Sequence, residues 1–302
     1  MSRFYSNGKL LLTGEYTVLD GAKALALPTV FGQELSVHEN NSETISWNSY
    51  DWDKTIWIDV VFSFSEIIEN TFVSDNSFEK KLSEILFQAY ELNPKFLEKN
   101  KGYQVETQLT FPRLWGLGTS STLINNLAKW LEINPYKLLK NTFSGSGYDI
   151  ACAENDSPIL FRLEEDIPII EQVNFNPEFS DNLFFVYLNK KQNSRSAIAS
   201  YYKRQFRISK TIEKINRITT EIQQTKSLSE FAYLLEQHEV IMSNVLEMQT
   251  IKEMFFADFK GTIKSLGAWG GDFVLAVSKE NPVEYFKQRG FEVVIPYKEM
   301  IL

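Results

Sequence analysis

Cysteine is nearly absent: Cys152 is the one cysteine in 302 residues, so no disulfide can form within the chain, which suits a reducing compartment. Histidine is almost as scarce. His38 and His238 are the full complement, too few for a multi-histidine zinc site or a histidine-based relay. Long apolar runs are missing, and no segment approaches the roughly 20 residues needed to span a bilayer. Met1 to Gly8 has no cationic stretch followed by an apolar run, so no signal peptide is expected. Positive charge is in deficit, with a formal net charge of −8. That disfavours nucleic acid or a membrane surface as partner, because both are anionic. A few Lys and Arg can still line a cleft for an anionic small substrate. The expectation is a cytoplasmic protein that handles a small molecule.

Apolar residues make up 43% of the chain and charged residues 23%, enough to bury a sizeable core. Short β-rich runs dominate the first third, at Lys9 to Leu12, Ala24 to Leu27, Glu34 to His38 and Ile56 to Phe62. The polar stretch Asn40 to Asp53 reads as a loop or hairpin. Phe78, Leu82, Ile85, Leu86 and Ala89 recur at helical spacing. Tyr103 to Phe111 alternates as a strand does. Leu123, Leu127, Trp130 and Leu131 then share a helical face, with Pro135 as a stop. Strands are expected at Pro158 to Leu163 and Leu183 to Leu188, and helices from Ser196 to Gln224 and Ser229 to Glu247. The chain closes with strand Thr262 to Leu266, a glycine-rich turn, strand Phe273 to Val277, helix Pro282 to Gln288 and strand Glu292 to Ile295. This mixed order suggests an α+β fold.

Four segments carry chemistry. In Gly116-Leu117-Gly118-Thr119-Ser120-Ser121, a loop with two glycines opens a hydroxyl-rich helix. Helix-start N–H groups lack internal partners and sit at the positive dipole end, and glycine lets a phosphate approach closely. A plain glycine turn with a Ser/Thr cap explains the same residues. No Walker A lysine follows, and Ser121 stands where a Rossmann loop has its third glycine. In Gly145-Ser146-Gly147-Tyr148-Asp149, a carboxylate follows two glycines. It can orient a reacting hydroxyl or accept its proton, or it can simply stabilise a helix N-terminus. Lys9 opens the apolar run of Gly8-Lys9-Leu10-Leu11-Leu12 and can neutralise a phosphoryl group, or snorkel to solvent. The segment Lys264-Ser265-Leu266-Gly267-Ala268-Trp269-Gly270-Gly271-Asp272 carries a glycine-rich turn between two strands, either a tight hairpin or an anion-binding nest. A further basic cluster, Lys190, Lys191, Arg195, Lys203 and Arg204, reads as a phosphate contact at its start and a solvated helix face at its end.

The order of these segments resembles the motif series of the GHMP kinases, named for galactokinase, homoserine, mevalonate and phosphomevalonate kinases. The likeness runs over nearly the whole chain. It implies a mixed α/β domain over residues 1–165 and a ferredoxin-like domain over 166–302. It implies ATP and Mg²⁺ as cofactors, with the ATP phosphates on Gly116, Leu117, Gly118, Thr119, Ser120 and Ser121, and the Ser120 hydroxyl on the metal. By the same resemblance Asp149 is the catalytic carboxylate and Lys9 its cationic partner. Glu15, Tyr16, Gly147, Tyr148, Arg195, Gly267 and Gly270 would contact substrate. Gly14-Glu15-Tyr16 is more similar to phosphomevalonate kinases, so phosphomevalonate is the expected substrate and mevalonate the next. Three departures stand against this. Lys137 to Asn141 lacks the Mg²⁺-binding glutamate of mevalonate kinases, the span from Ser121 to Asp149 is short, and Trp269 and Asp272 interrupt the last glycine run. A non-catalytic nucleotide-binding regulator and an ATP-dependent diphosphomevalonate decarboxylase therefore stay open beside the kinase.

Overall fold

The computed structural model describes residues 1–189, 201–202, 208–267, 269 and 271–302. The chain forms two compact units, and neither is a single run of chain. The first comprises Met1–Gly8, Phe31–Arg113 and Leu117–Glu154; the second comprises Lys9–Val30, Leu114–Gly116 and Asn155–Leu302.

The first unit holds the first part of β1 (Ser2–Leu11), the second part of β2 (Ala24–Asn40), then β3 (Thr44–Tyr50), β4 (Ile56–Ser63), α1 (Phe64–Ile68) and α2 (Ser77–Leu92). Strand β5 (Gly102–Leu109) and helices α3 (Thr119–Leu131), α4 (Pro135–Thr142) and α5 (Tyr148–Glu154) complete it. The sheet runs β4-β3-β5-β2, with β1 beside β2. Strand β3 is parallel to β5, whereas the β3–β4 and β2–β5 pairs are antiparallel. One face is buried under the helices. Leu35, Val37, Ile45, Trp47, Tyr103 and Val105 of the strands meet Ile85, Leu86, Ile124 and Leu127 of the helices in one core.

Two expectations change here. The polar stretch after Asn40 contains a full strand, β3, inside the sheet. Its polar residues mislead because they alternate: Ile45, Trp47 and Ser49 face the core while Ser46 and Asn48 lie toward solvent. The Trp47 indole N–H donates to Ser49 Oγ at 2.9 Å, and Thr107 Oγ1 joins Ser49 at 2.9 Å, so the buried polar atoms are paired. Pro135, read as a stop, opens a new helix. Helix α3 ends at Glu132 in the left-handed region (φ 54°), and the Asn134 side chain caps α4 by accepting the Lys137 N–H at 3.0 Å.

In the second unit a hairpin of β6 (Ile159–Glu164) and β7 (Ile167–Gln172) turns on Glu165 and Asp166, both at positive φ, which matches the right-handed strand twist. Strand β7 was not expected from sequence. Ala24–Ala26 of β2 pairs with β6. Then come β8 (Leu183–Tyr187), α6 (Ile208–Gln224), α7 (Leu228–Leu246), α8 (Ile251–Phe255), β9 (Thr262–Ser265), β10 (Phe273–Val277), α9 (Val283–Lys287), β11 (Val294–Pro296) and α10 (Tyr297–Met300). The four-stranded antiparallel sheet has the order β11-β8-β10-β9. With helices between β8 and β9 and between β10 and β11, this is the βαββαβ plan of a ferredoxin-like layer. Its core joins Phe184, Val186, Val274 and Ala276 to Phe256, Phe259 and Phe286.

Trp47 is fully buried, so Trp47→Ala is expected to cost about 3–5 kcal/mol of stability, from lost transfer energy plus the cavity left behind. Equilibrium urea unfolding checks this. A loss below about 1 kcal/mol would show that β3 is not part of the core.

Candidate active site

The two glycines of the first chemical segment have different surroundings. Gly118 is the N-cap of α3, at φ 100°, and no side chain caps the helix. The Ser/Thr cap reading is therefore not what the structure adopts. Ser121 turns its hydroxyl back onto the Gly118 carbonyl at 2.9 Å. Ser120 is exposed, Thr119 is half-buried, and Leu117 is buried in the core as an anchor. The first turn of a 13-residue helix thus presents its N–H groups and an exposed hydroxyl without a side-chain cap among the described residues.

In the same unit, Asp149 is the second residue of α5. Its Oδ1 accepts the Ile150 N–H at 3.1 Å, so part of its role is to hold the first helical turn. The approach to it is left-handed at Ser144 (φ 61°), Gly145 (φ 118°) and Gly147 (φ 88°). Gly147 has no alternative residue: a Cβ there would lie 2.9 Å from Tyr136 Cδ1. Burial first, then the Glu154 carboxylate, then Asp149, raise the Tyr136 phenol well above its ordinary value. Tyr148 is half-buried beside Asp149.

In the second unit, Lys9 and Gly116 meet. The Lys9 ammonium donates to the Gly116 carbonyl at 3.0 Å across 107 residues of sequence. Residues 114–116 are held by their neighbours. Tyr187 donates its hydroxyl to the Leu114 carbonyl at 3.1 Å, and the Trp115 ring lies edge-on to Phe273 at 5.5 Å. Two of the expected segments, the first strand and the glycine loop, are thereby joined by a direct contact.

No protein-family model matches the sequence, and no curated protein matches it. Solved structures are similar over nearly full length. The phosphomevalonate kinase of Streptococcus pneumoniae, solved with phosphomevalonate and AMPPNP, has a TM-score of 0.71 at 16% identity, over 96% of this chain and 96% of that one. Mevalonate kinase of Methanococcus jannaschii has a TM-score of 0.69 at 17% identity, over 97% and 96%. Lactococcus lactis galactokinase, solved with galactose, has a TM-score of 0.66 at 13% identity, over 95% and 88%.

The fold is that of the GHMP kinases. At such low identity, likeness to GHMP kinases establishes the architecture and leaves the chemistry to the residues themselves. Among the described residues no helix is long and apolar enough to cross a membrane.

Four residues of this GHMP-type fold have surroundings that the sequence did not suggest. Glu15, expected at substrate, is 1% exposed and forms an ion pair with Lys264, itself fully buried. Lys264 also lies 3.2 Å from Glu239, and Glu239 accepts from Ser265 Oγ at 3.1 Å. His238 Nε2 accepts the Gly14 N–H at 3.0 Å, with Glu15 Oε2 3.3 Å away. Burial drives the carboxyl of Glu15 up to about 7 despite the adjacent ammonium, and the Glu239 carboxylate adds to the rise. Burial raises Glu239 as well. For Lys264 burial pulls the other way, but Glu15 and Glu239 outweigh it and keep the ammonium charged. Burial, then Lys264, hold His238 well below its ordinary value.

Tyr16 is also enclosed. Thr17 N–H donates to the Glu15 carbonyl at 2.6 Å around Tyr16 at φ 59°, ψ −48°, a γ-turn of the rare, strained hand. Its ring stacks on Tyr201 at 5.7 Å, and its hydroxyl accepts the Trp269 N–H at 2.7 Å. That N–H of the last glycine turn is therefore occupied. Glu15 and Tyr16 serve the interior of the second unit in this structure, since both are turned away from solvent. Gly267 sits at φ 67°, and among the described residues nothing lies within 4 Å of a Cβ built on it. Arg195, Gly270 and the basic cluster Lys190, Lys191, Lys203 and Arg204 lie outside the described residues. Sequence reasoning included Lys264 only as the first residue of the last glycine segment, and gave His238 and Glu239 no site role. The available signal was a lysine within the expected strand Thr262 to Leu266.

Protonating His238 requires breaking the bond from Gly14 in a dry site. A histidine whose pKa falls on folding supports stability above its unfolded value near 6.5, and that support is lost as pH drops below it. Glu15 and Glu239, with raised values, act in the opposite sense and withdraw stability as pH rises, for Glu15 through about 7. The difference between wild type and His238→Gln isolates the histidine, since the amide oxygen of Gln can accept the same N–H. Urea unfolding between roughly pH 7 and pH 5 is expected to show a smaller loss in the variant. Equal losses would mean His238 is not buried neutral.

Proposed function

We propose that this chain is an ATP-dependent small-molecule kinase, moving the γ-phosphoryl group to an alcohol or a phosphate ester, with phosphomevalonate or mevalonate as the leading substrates. The observation that carries the reading is the contact of Lys9 with Gly116, two residues singled out separately from sequence. The uncapped start of α3 supports it, because phosphate oxygens suit unpartnered N–H groups at a positive helix end. The GHMP-type fold supports it too, since similar structures include kinases of mevalonate, phosphomevalonate and galactose.

In this reading the substrate oxygen attacks the γ-phosphorus as the bond to the ADP oxygen breaks. The substrate proton passes to Asp149. Lys9 offsets charge on the transferring group, and the amides of Gly118 to Ser121 hold the remaining phosphates. The exposed Ser120 hydroxyl would hold Mg²⁺, which would supply charge neutralisation on the phosphates. The absence of a carboxylate in Lys137 to Asn141, now seen as helix α4, favours a second reading as a nucleotide-binding regulator without transfer.

ADP release over mevalonate, phosphomevalonate, homoserine and galactose distinguishes the two. One substrate is expected to give turnover, with Asp149→Asn and Lys9→Met each reducing kcat by about a hundredfold or more. Turnover at the wild-type level in both variants would remove these residues from the chemistry. ATP binding without turnover on any substrate would favour the regulator.

A further inference from the structure

We propose that Asp272 makes the phosphate loop discriminate between metal-complexed and metal-free nucleotide. The inference rests on the kinase reading only in taking Gly116 as part of a phosphate-binding loop.

Asp272 lies directly against Gly116. A Cβ built on Gly116 would come 2.3 Å from Asp272 Cγ, 2.3 Å from Oδ2 and 2.7 Å from Oδ1, so the carboxylate faces the bare Cα of the first loop glycine. The placement is fixed from both sides. Asp272 precedes β10, its carbonyl accepts the Leu188 N–H at 2.8 Å, and the next residue, Phe273, is fully buried against Trp115. On the other flank of Gly116, Lys9 donates to its carbonyl at 3.0 Å. One glycine thus sits between an ammonium and a carboxylate. The negative charge is also felt at Tyr187, whose phenol is raised by burial first and by Asp272 second.

A carboxylate beside a phosphate loop is unusual chemistry for anion capture, since like charges at close range repel strongly in a partly dry site. A divalent cation on the nucleotide removes about half of its negative charge, and with it much of the repulsion from the carboxylate. Asp272 therefore penalises bare nucleotide more than its metal complex. A simple structural role is the competing account, because Asp272 sits at φ 53°, a conformation Asp, Asn and Gly tolerate. Asp272→Asn separates the two, keeping shape and backbone tolerance while removing the charge.

The test is ATP affinity of the full chain by calorimetry, in excess Mg²⁺ and in EDTA, for wild type, Asp272→Asn and Asp272→Gly. The wild type is expected to prefer the Mg²⁺ complex. In both variants the ratio of the two affinities is expected to fall about tenfold, through tighter binding of metal-free ATP. An unchanged ratio, or an equal weakening of both forms in Asp272→Asn, overturns the proposal and leaves Asp272 as a turn residue. Should Asp272→Asn unfold, shown by loss of its thermal transition, the ratio in Asp272→Gly decides. Absence of ATP binding by the wild type under both conditions would overturn the kinase reading itself.

Discussion

The ammonium of Lys264 is fully removed from water, and the second unit is organised around satisfying it. An isolated charge in that position would cost several kcal/mol. Two carboxylates from different parts of the chain meet it, Glu15 from the turn after β1 and Glu239 from α7. Through Glu15 and the Gly14–His238 bond, that turn is tied to α7 and β9. Tyr16 can then hold a strained backbone, because both its neighbours and its own hydroxyl are anchored. Burial, which disfavours any charged form, explains why the two carboxyl groups are pushed up and His238 is pushed down, while the two carboxylates keep Lys264 charged.

The glycine loop is subject to a different constraint. Its beginning, residues 114–116, is packed among side chains of the second unit, while Leu117 onward belongs to the first. Gly116 is small because Asp272 occupies the space of a side chain, and Gly118 is a glycine because the N-cap of α3 lies at φ 100°. Both glycines lie at positive φ, Gly116 at 69° and Gly118 at 100°, and Gly116 is further required by the close approach of Asp272.

Much of the architecture was readable from periodicity. Helices α2 and α7 and strands β8, β9 and β10 lie within a few residues of the segments expected, the helices from apolar residues at helical spacing and β8 and β10 from short continuous apolar runs. Strand β3 was hidden because its outward residues are Ser and Asn, and its burial depends on Trp47 finding a partner in Ser49. At the candidate site, Lys9 and the Gly116 loop were visible as residue types in unusual settings. Their contact was not, because 107 residues separate them.

By itself the sequence determined which residues are chemically able to act: a lysine at an apolar strand, a glycine loop before a hydroxyl-rich helix, and an aspartate after glycines. It also determined the α+β character, because helical and strand periods are local properties. Only the tertiary structure decided which of these groups are engaged. It turned Glu15 inward to a buried lysine, occupied the Trp269 N–H with a phenol, and set Asp272 against Gly116. Charge pairing, desolvation and close approach depend on distances between remote segments, which no local pattern encodes.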